Sequence, residues 1–236
     1  FEALEKNINY DKQDVLGVPA SHLDQMVFNK DISFVKDAPF LSTLIQNPNH
    51  IGCHTLNKSE PFFQGTQEIE KELIDICAVD ILKGKFNEQD GYLASGGTEA
   101  NIQAIWIYRN YFINKSKANR EEICIICNVD SHYSMDKAAN LLSLTIYKIP
   151  VNENTRTIEQ EGILETIHKA QSDGKKYFIV VCNMMTTMFG SVDDIDLLTN
   201  SLMEFSCDFK LHVDGAYGGF YYPFTDENSR LTFQNP

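Results

Sequence analysis

The chain has 236 residues, 43% of them hydrophobic and 22% charged, an ordinary globular composition with ample material for a core. Thirty-three acidic against twenty basic side chains give a formal net charge of −13, which opposes binding to nucleic acid or to an anionic membrane, so any phosphate must be held locally. No apolar stretch approaches the roughly 20 residues that span a bilayer and no charged-then-apolar leader opens the chain, so a soluble cytoplasmic protein is expected.

Phe1 in place of an initiating methionine, and an end at "SRLTFQNP" without a closing element, predict a piece of a longer protein. Residues 1–60, with Pro19, Pro39 and Pro48 and few clean periods, read as an N-terminal arm, and 61–236 as one large domain. In that domain Ile69, Leu73, Ile74, Cys77 and Ile81 recur at helical spacing and predict an amphipathic helix over 66–82. Short apolar strands then alternate with helices. Strands are expected near 91–95 and over 122–128, 144–149, 176–182 and 209–214, and helices over 98–113, 134–143, 159–172 and 194–206. Such alternation is an α/β layered domain. Cys124 and Cys127 form a CxxC, but on a strand residues three apart point to opposite faces, so neither a metal nor a redox role is assigned; the six cysteines lack the spacing of a disulfide framework.

Open α/β sheets bind ligands at the carboxyl ends of their strands. Four loops there are chemically unusual: "ASGGTEAN" (94–101), "DSHYSMDKAA" (130–139), "TTMFGSVDD" (186–194) and "HVDGAYGG" (212–219). In the first, Gly96 and Gly97 let backbone N–H groups approach an anion and Thr98 adds a hydroxyl, though a plain helix cap would look the same. Neither a Walker loop nor a GxGxxG fingerprint is present. In the second, His132 sits at a strand-to-helix junction, where a histidine can cap a helix or lay its flat face on an aromatic ligand; Tyr133 and Lys137 read as packing and solvated-face residues. In the fourth, Asp214 ends an apolar strand and is followed by Gly215, Ala216, Gly218 and Gly219. Burying an unpaired carboxylate costs several kcal/mol, so Asp214 should face a cation, and a protonated pyridine nitrogen suits it. Ala216 is small enough to lie under the same ring.

"SGGTEAN", "DSHYSMDKAANLL", "TTMFGSVDDI" and "HVDGAYGGF", in this order over residues about 60 to 222, resemble the group II pyridoxal-phosphate-dependent amino acid decarboxylases. The resemblance implies a three-layer α/β/α fold with a mostly parallel mixed sheet, that of the fold type I enzymes, incomplete at the C-terminus. It implies pyridoxal 5'-phosphate as cofactor and loss of CO2 from an amino acid substrate. Gly96, Gly97 and Thr98 would hold the phosphate, His132 would stack on the ring, Asp214 would bind the ring nitrogen and Ala216 would touch the opposite face, with His132 and Asp214 as the catalytic pair. Thr186, or the neighbouring Thr187, matches a position near the ring oxygen and the substrate carboxylate.

Two departures are visible: Met185 stands where the family commonly has glycine before "TT", and Gly215 where it has alanine. The family's Schiff-base lysine and its proton-donating tyrosine are expected beyond residue 236. Lys210 is a poor substitute, four residues before Asp214 and so about 13 Å away along a strand. The resemblance also implies a homodimer with its active site at the interface. A carbon–carbon lyase of the sphingosine-phosphate lyase kind, and a non-catalytic protein keeping the cofactor fold, are the alternative functions. His50 and His54 are candidate substrate contacts, though loop histidines are commonly solvated. No metal site is expected.

Overall fold

The computed structural model describes residues 64–225 and 229–234, together with Glu2 and Lys6. The chain divides into two compact units, residues 1–93 and 94–236. Most of the expected arm, and the loop carrying His50 and His54, lie outside the described residues.

In the first unit the predicted amphipathic helix is present as α1, Gln64–Asp75, which widens into a π-helical stretch over Ile76–Ile81 and ends on a Leu82 N–H to Cys77 C=O bond of 3.0 Å. The strand expected near 91–95 does not form. Two of its backbone donors go to side chains, the Leu93 N–H to Glu70 (2.6 Å) and the Gly91 N–H to Asp90 (2.8 Å), and Leu93 stays exposed. A short apolar run does not make a strand when its backbone donors find side chains first.

The second unit alternates α2 (Gly97–Asn114), β1 (Ile123–Asn128), α3 (Ser134–Leu142), β2 (Thr145–Ile149), α4 (Gln160–Ser172), β3 (Tyr177–Asn183), α5 (Ile195–Glu204) and β4 (Asp208–Asp214). The four strands pair in the order β2-β1-β3-β4, every pair parallel. Parallel strands covered on both faces need apolar side chains in both directions, which is why "ICIIC" and "FIVVC" read as unbroken apolar runs. Ile123, Ile125 and Cys127 of β1 and Ile179 and Val181 of β3 pack with Ile105 and Phe112 of α2 and Met135 and Ala138 of α3. On the other face Cys124, Ile126, Phe178 and Val180 are equally buried, and the buried sides of α4 (Ile163, Ile167, Ala170) and α5 (Ile195, Leu198, Leu202) supply the third layer.

From β1 the chain steps out to β2 and then returns across β1 to β3. This reversal leaves a crevice at the carboxyl ends of β1 and β3, where ligands of open α/β sheets bind. Asn128 ends β1, and Asn183 ends β3 in register with Asp214 at the end of β4. These three ends and the N-terminus of α2 build the site.

Candidate cofactor and active site

A pocket of ≈ 280 Å³ opens at this crevice, near the lower end of the about 300–1,000 Å³ typical of small-molecule sites. It brings together Gly97, Thr98, His132, Thr186, Asp214 and Ala216, all expected from the sequence. Gly96 stands just outside as the N-cap of α2.

Asp214 is only 7% exposed. Its Oδ2 accepts from Asn101 Nδ2 (2.9 Å) and its Oδ1 from the Ala216 N–H (3.1 Å), and among the described residues no cationic side chain pairs with it. Two donors leave about half of a carboxylate's acceptor capacity unused, and the pocket lies on that side. The predicted cation is therefore not supplied by any described part of the chain.

Gly96 gives α2 no capping side chain, which leaves the positive end of the helix for an anion. Glu99 reaches back to Ser95, accepting from its N–H (3.0 Å) and hydroxyl (2.5 Å), and so holds the loop in place. A Cβ on Gly97 would lie 2.7 Å from the Ala216 Cβ, so glycine is what allows α2 to approach the turn after β4 this closely. In that turn a Cβ on Gly218 would lie 2.2 Å from the Met184 C=O, which locks the turn onto the loop after β3. Gly215 differs: a Cβ there would meet nothing closer than 3.5 Å, so the alanine seen in the family would fit.

His132 is half-buried, and its Nδ1 lies 2.9 Å from Ser134 Oγ. Tyr133, expected to pack, instead stands 61% exposed on the pocket wall, its ring 4.1 Å from that of His132 and with the Lys137 ammonium over it at 5.2 Å. An exposed aromatic at a pocket mouth is available to a ligand, and that is the correction to its expected role. Thr186 is buried and tied to Ser191 through both hydroxyls (2.8 Å) and both backbones, while Thr187, also on the pocket, is exposed. Met185 takes a left-handed φ of 70°, a conformation that costs a side-chain-bearing residue about 1–2 kcal/mol and glycine none. The family's preference for glycine at this position is thereby explained.

A second polar cluster supports the loops from below. Asp193 Oδ1 accepts from Asn128 Nδ2 (2.7 Å), and its Oδ2 from the Asn183 backbone N–H (2.8 Å) and Nδ2 (2.7 Å). Asn183 Nδ2 also donates to Ser131 Oγ (2.9 Å). Burial pushes the Asp193 carboxyl above its usual range, and these hydrogen bonds offset only part of that rise. Outside it, Arg156 holds Asp130 (Nε to Oδ2 2.9 Å) and lies over the Phe189 ring at 4.4 Å.

Lys210 is spent elsewhere, over the Tyr111 ring at 4.4 Å, and does not line the pocket. Cys124 and Cys127 are buried on opposite sheet faces with thiols pushed up to about 12 and about 11, which makes them inert core residues. Sequence reasoning missed Asn101, Ser134 and His212. His212 Nε2 lies 2.8 Å from Asn101 Oδ1, and Asn101 Nδ2 also reaches Ser134 Oγ at 2.9 Å. The available signal was Asn101's place in a helix otherwise apolar on that side.

The sequence matches the pyridoxal-dependent decarboxylase conserved domain over residues 48–232. The chain belongs to the pyridoxal-dependent decarboxylase family. A tryptophan decarboxylase of Clostridium sporogenes is 51% identical over 234 residues, 99% of this chain and 56% of that protein. The crystal structure of the glutamate decarboxylase domain of a diaminobutyrate-pyruvate transaminase and L-2,4-diaminobutyrate decarboxylase from Vibrio parahaemolyticus superposes with a TM-score of 0.64 at 21% identity, covering 99% of this chain and 59% of that one. A sphingosine-1-phosphate lyase of Burkholderia pseudomallei gives a TM-score of 0.56 at 22% identity over 67% of this chain and 35% of its own, so the fold is shared beyond decarboxylases. The chain spans about half the length of the curated relatives it matches. The family's cofactor is pyridoxal 5'-phosphate, and the residues present fit it: an uncapped helix N-terminus for a phosphate, a half-buried imidazole for a ring face, and a buried carboxyl with acceptor capacity to spare. Among the described residues no helix is long and apolar enough to cross a membrane.

Proposed function

We propose that the protein acts in the pyridoxal 5'-phosphate-dependent decarboxylation of an aromatic amino acid, with tryptophan as the first candidate. The observation that carries this is Asp214, buried at a strand end, held by two neutral donors, with the rest of its acceptor capacity turned to a pocket. When bound, the cofactor supplies an electron-withdrawing pyridinium that takes up the electrons released as CO2 leaves. The chain's own residues would do the rest. Gly96, Gly97 and Thr98 present the start of α2 to the phosphate; Asp214 keeps the ring nitrogen protonated; His132 and Ala216 confine the ring from its two faces; Thr186 or Thr187 offers a hydroxyl at the ring edge.

The choice of tryptophan rests on the 51% identical relative, supported by the aromatic Tyr133 and Tyr217 on the pocket wall. The homodimer with an interfacial active site rests on the family. A cytoplasmic location is supported by the free thiols of Cys77, Cys124, Cys127, Cys182 and Cys207, which suit a reducing compartment. The test is incubation of the cofactor-loaded protein with single amino acids while CO2, amines and aldehydes are followed. Tryptamine with equimolar CO2 is expected. An aldehyde product would assign the chain to the lyases of this fold, and no product together with no cofactor absorbance would assign it a binding role. Light scattering of the same preparation reads the oligomeric state.

A further inference from the structure

The pocket floor is one connected hydrogen-bond chain, and its centre is a residue with no charge. Asn101 is 3% exposed, and its Nδ2 meets both Asp214 Oδ2 and Ser134 Oγ at 2.9 Å. The reverse amide orientation would set Oδ1 against the Asp214 carboxyl, two acceptors with no proton between them, so the NH2 group faces Asp214 and uses both hydrogens. Asn101 Oδ1 must then accept, and its partner is His212 Nε2 at 2.8 Å, which places the His212 proton on Nε2. Burial lowers the His212 pKa, against the opposing pull of Asp214, which favours the neutral ring this bond requires.

On the other branch Ser134 Oγ, having accepted from Asn101, has its own hydrogen to donate to His132 Nδ1 at 2.9 Å, and the Ser134 N–H approaches the same nitrogen at 3.3 Å. His132 Nδ1 is thus an acceptor twice over, and its proton resides on Nε2. We propose that Asn101 is a positioning residue that fixes the tautomer of His132 through Ser134 while the same amide aims Asp214. The consequence, which rests on the cofactor reading above, is a neutral imidazole beside a cationic ring. A proton on Nδ1 would require the Ser134 hydroxyl to turn away, and a ring protonated on both nitrogens would in addition set two like charges face to face. The charged and titratable groups around this chain are Asp214 and His212 on β4, His132 with its neighbour Tyr133, and Lys137 on α3 beyond Tyr133.

The decisive measurement is the side-chain 15N shifts of His132 and His212 in cofactor-free protein, where no activity is needed. The native protein is expected to show both rings neutral with the proton on Nε2. Asn101→Asp and Ser134→Ala should each release His132 into a mixture of tautomers, and Ser134→Thr, which keeps the hydroxyl, should restore the native pattern. Cofactor binding, read by absorbance titration, should weaken about tenfold in Asn101→Asp, the worth of a charge-assisted hydrogen bond. An unchanged His132 tautomer in Ser134→Ala would overturn the proposal, and Ser134→Ala and Ser134→Thr decide it if Asn101→Asp does not fold. The tautomer shift without cofactor binding in the native protein would sustain the relay and sink the proposed function, so the two failures are distinct.

Discussion

Two buried acids, Asp193 in the loop after β3 and Asp214 at the end of β4, have opposite fates. Asp193, 3% exposed, has both oxygens filled by three N–H donors from Asn128 and Asn183. Asp214, 7% exposed, has two donors and a pocket. Composition and burial do not separate them; the number of lone pairs the fold leaves unused does. A carboxylate closed off by its own chain is a strut, and one left half satisfied is a binding group.

The largest effect that would break this contrast is on turnover. Asp214→Asn is expected to cut decarboxylation by on the order of 10²-fold or more, the usual loss when an electrostatic stabiliser is removed; one of its two donors also loses its acceptor, but at the edge of a pocket open to water, so the stability cost should be only about 1 kcal/mol in chemical denaturation. Unchanged turnover would remove Asp214 from the chemistry. Asp193→Asn should behave in the opposite way: one of three donors loses its acceptor in a buried site, so unfolding should come about 2–3 kcal/mol sooner, and equal stability loss in the two variants would erase the distinction.

The pH response sharpens it further. Burial holds His212, on the Asp214 side, below its ordinary 6.5. Just below that value the unfolded chain takes a proton that the folded one refuses, so this contribution to stability is complete at neutral pH and is lost as pH falls through 6.5. Asp193 lies above its ordinary 3.8, so in the window above 3.8 the folded chain holds the extra proton and stability falls as pH rises. Melting temperature against pH should show the first slope flattened in His212→Gln alone. The smallest effect belongs to Gly215→Ala, in the turn behind Asp214: the added methyl meets only ordinary contacts, so a change within about 0.5 kcal/mol is expected, and a loss above 2 kcal/mol would mean that this turn has no slack.

The elements of the second unit were legible because strands buried on both faces leave unbroken apolar runs, and their ends fell within a residue or two of those expected. The stretch 91–95 was misread because its short apolar run matched a strand while the amides of Gly91 and Leu93 were taken by Asp90 and Glu70. Asp214 and His132 stood out as polar groups where apolar strands stop. Asn101 and Ser134 did not, since a serine at a helix start and an asparagine within a helix have ordinary local explanations. Their partners stand 33 and 113 positions away along the chain, a distance no local pattern spans.

The bare Gly218 beneath the Met184 carbonyl carries a consequence for this wall of the pocket. The segments 184–186 and 215–219 meet backbone to backbone there, so any side chain at position 218 would force apart the two loops that carry Thr186 and Asp214.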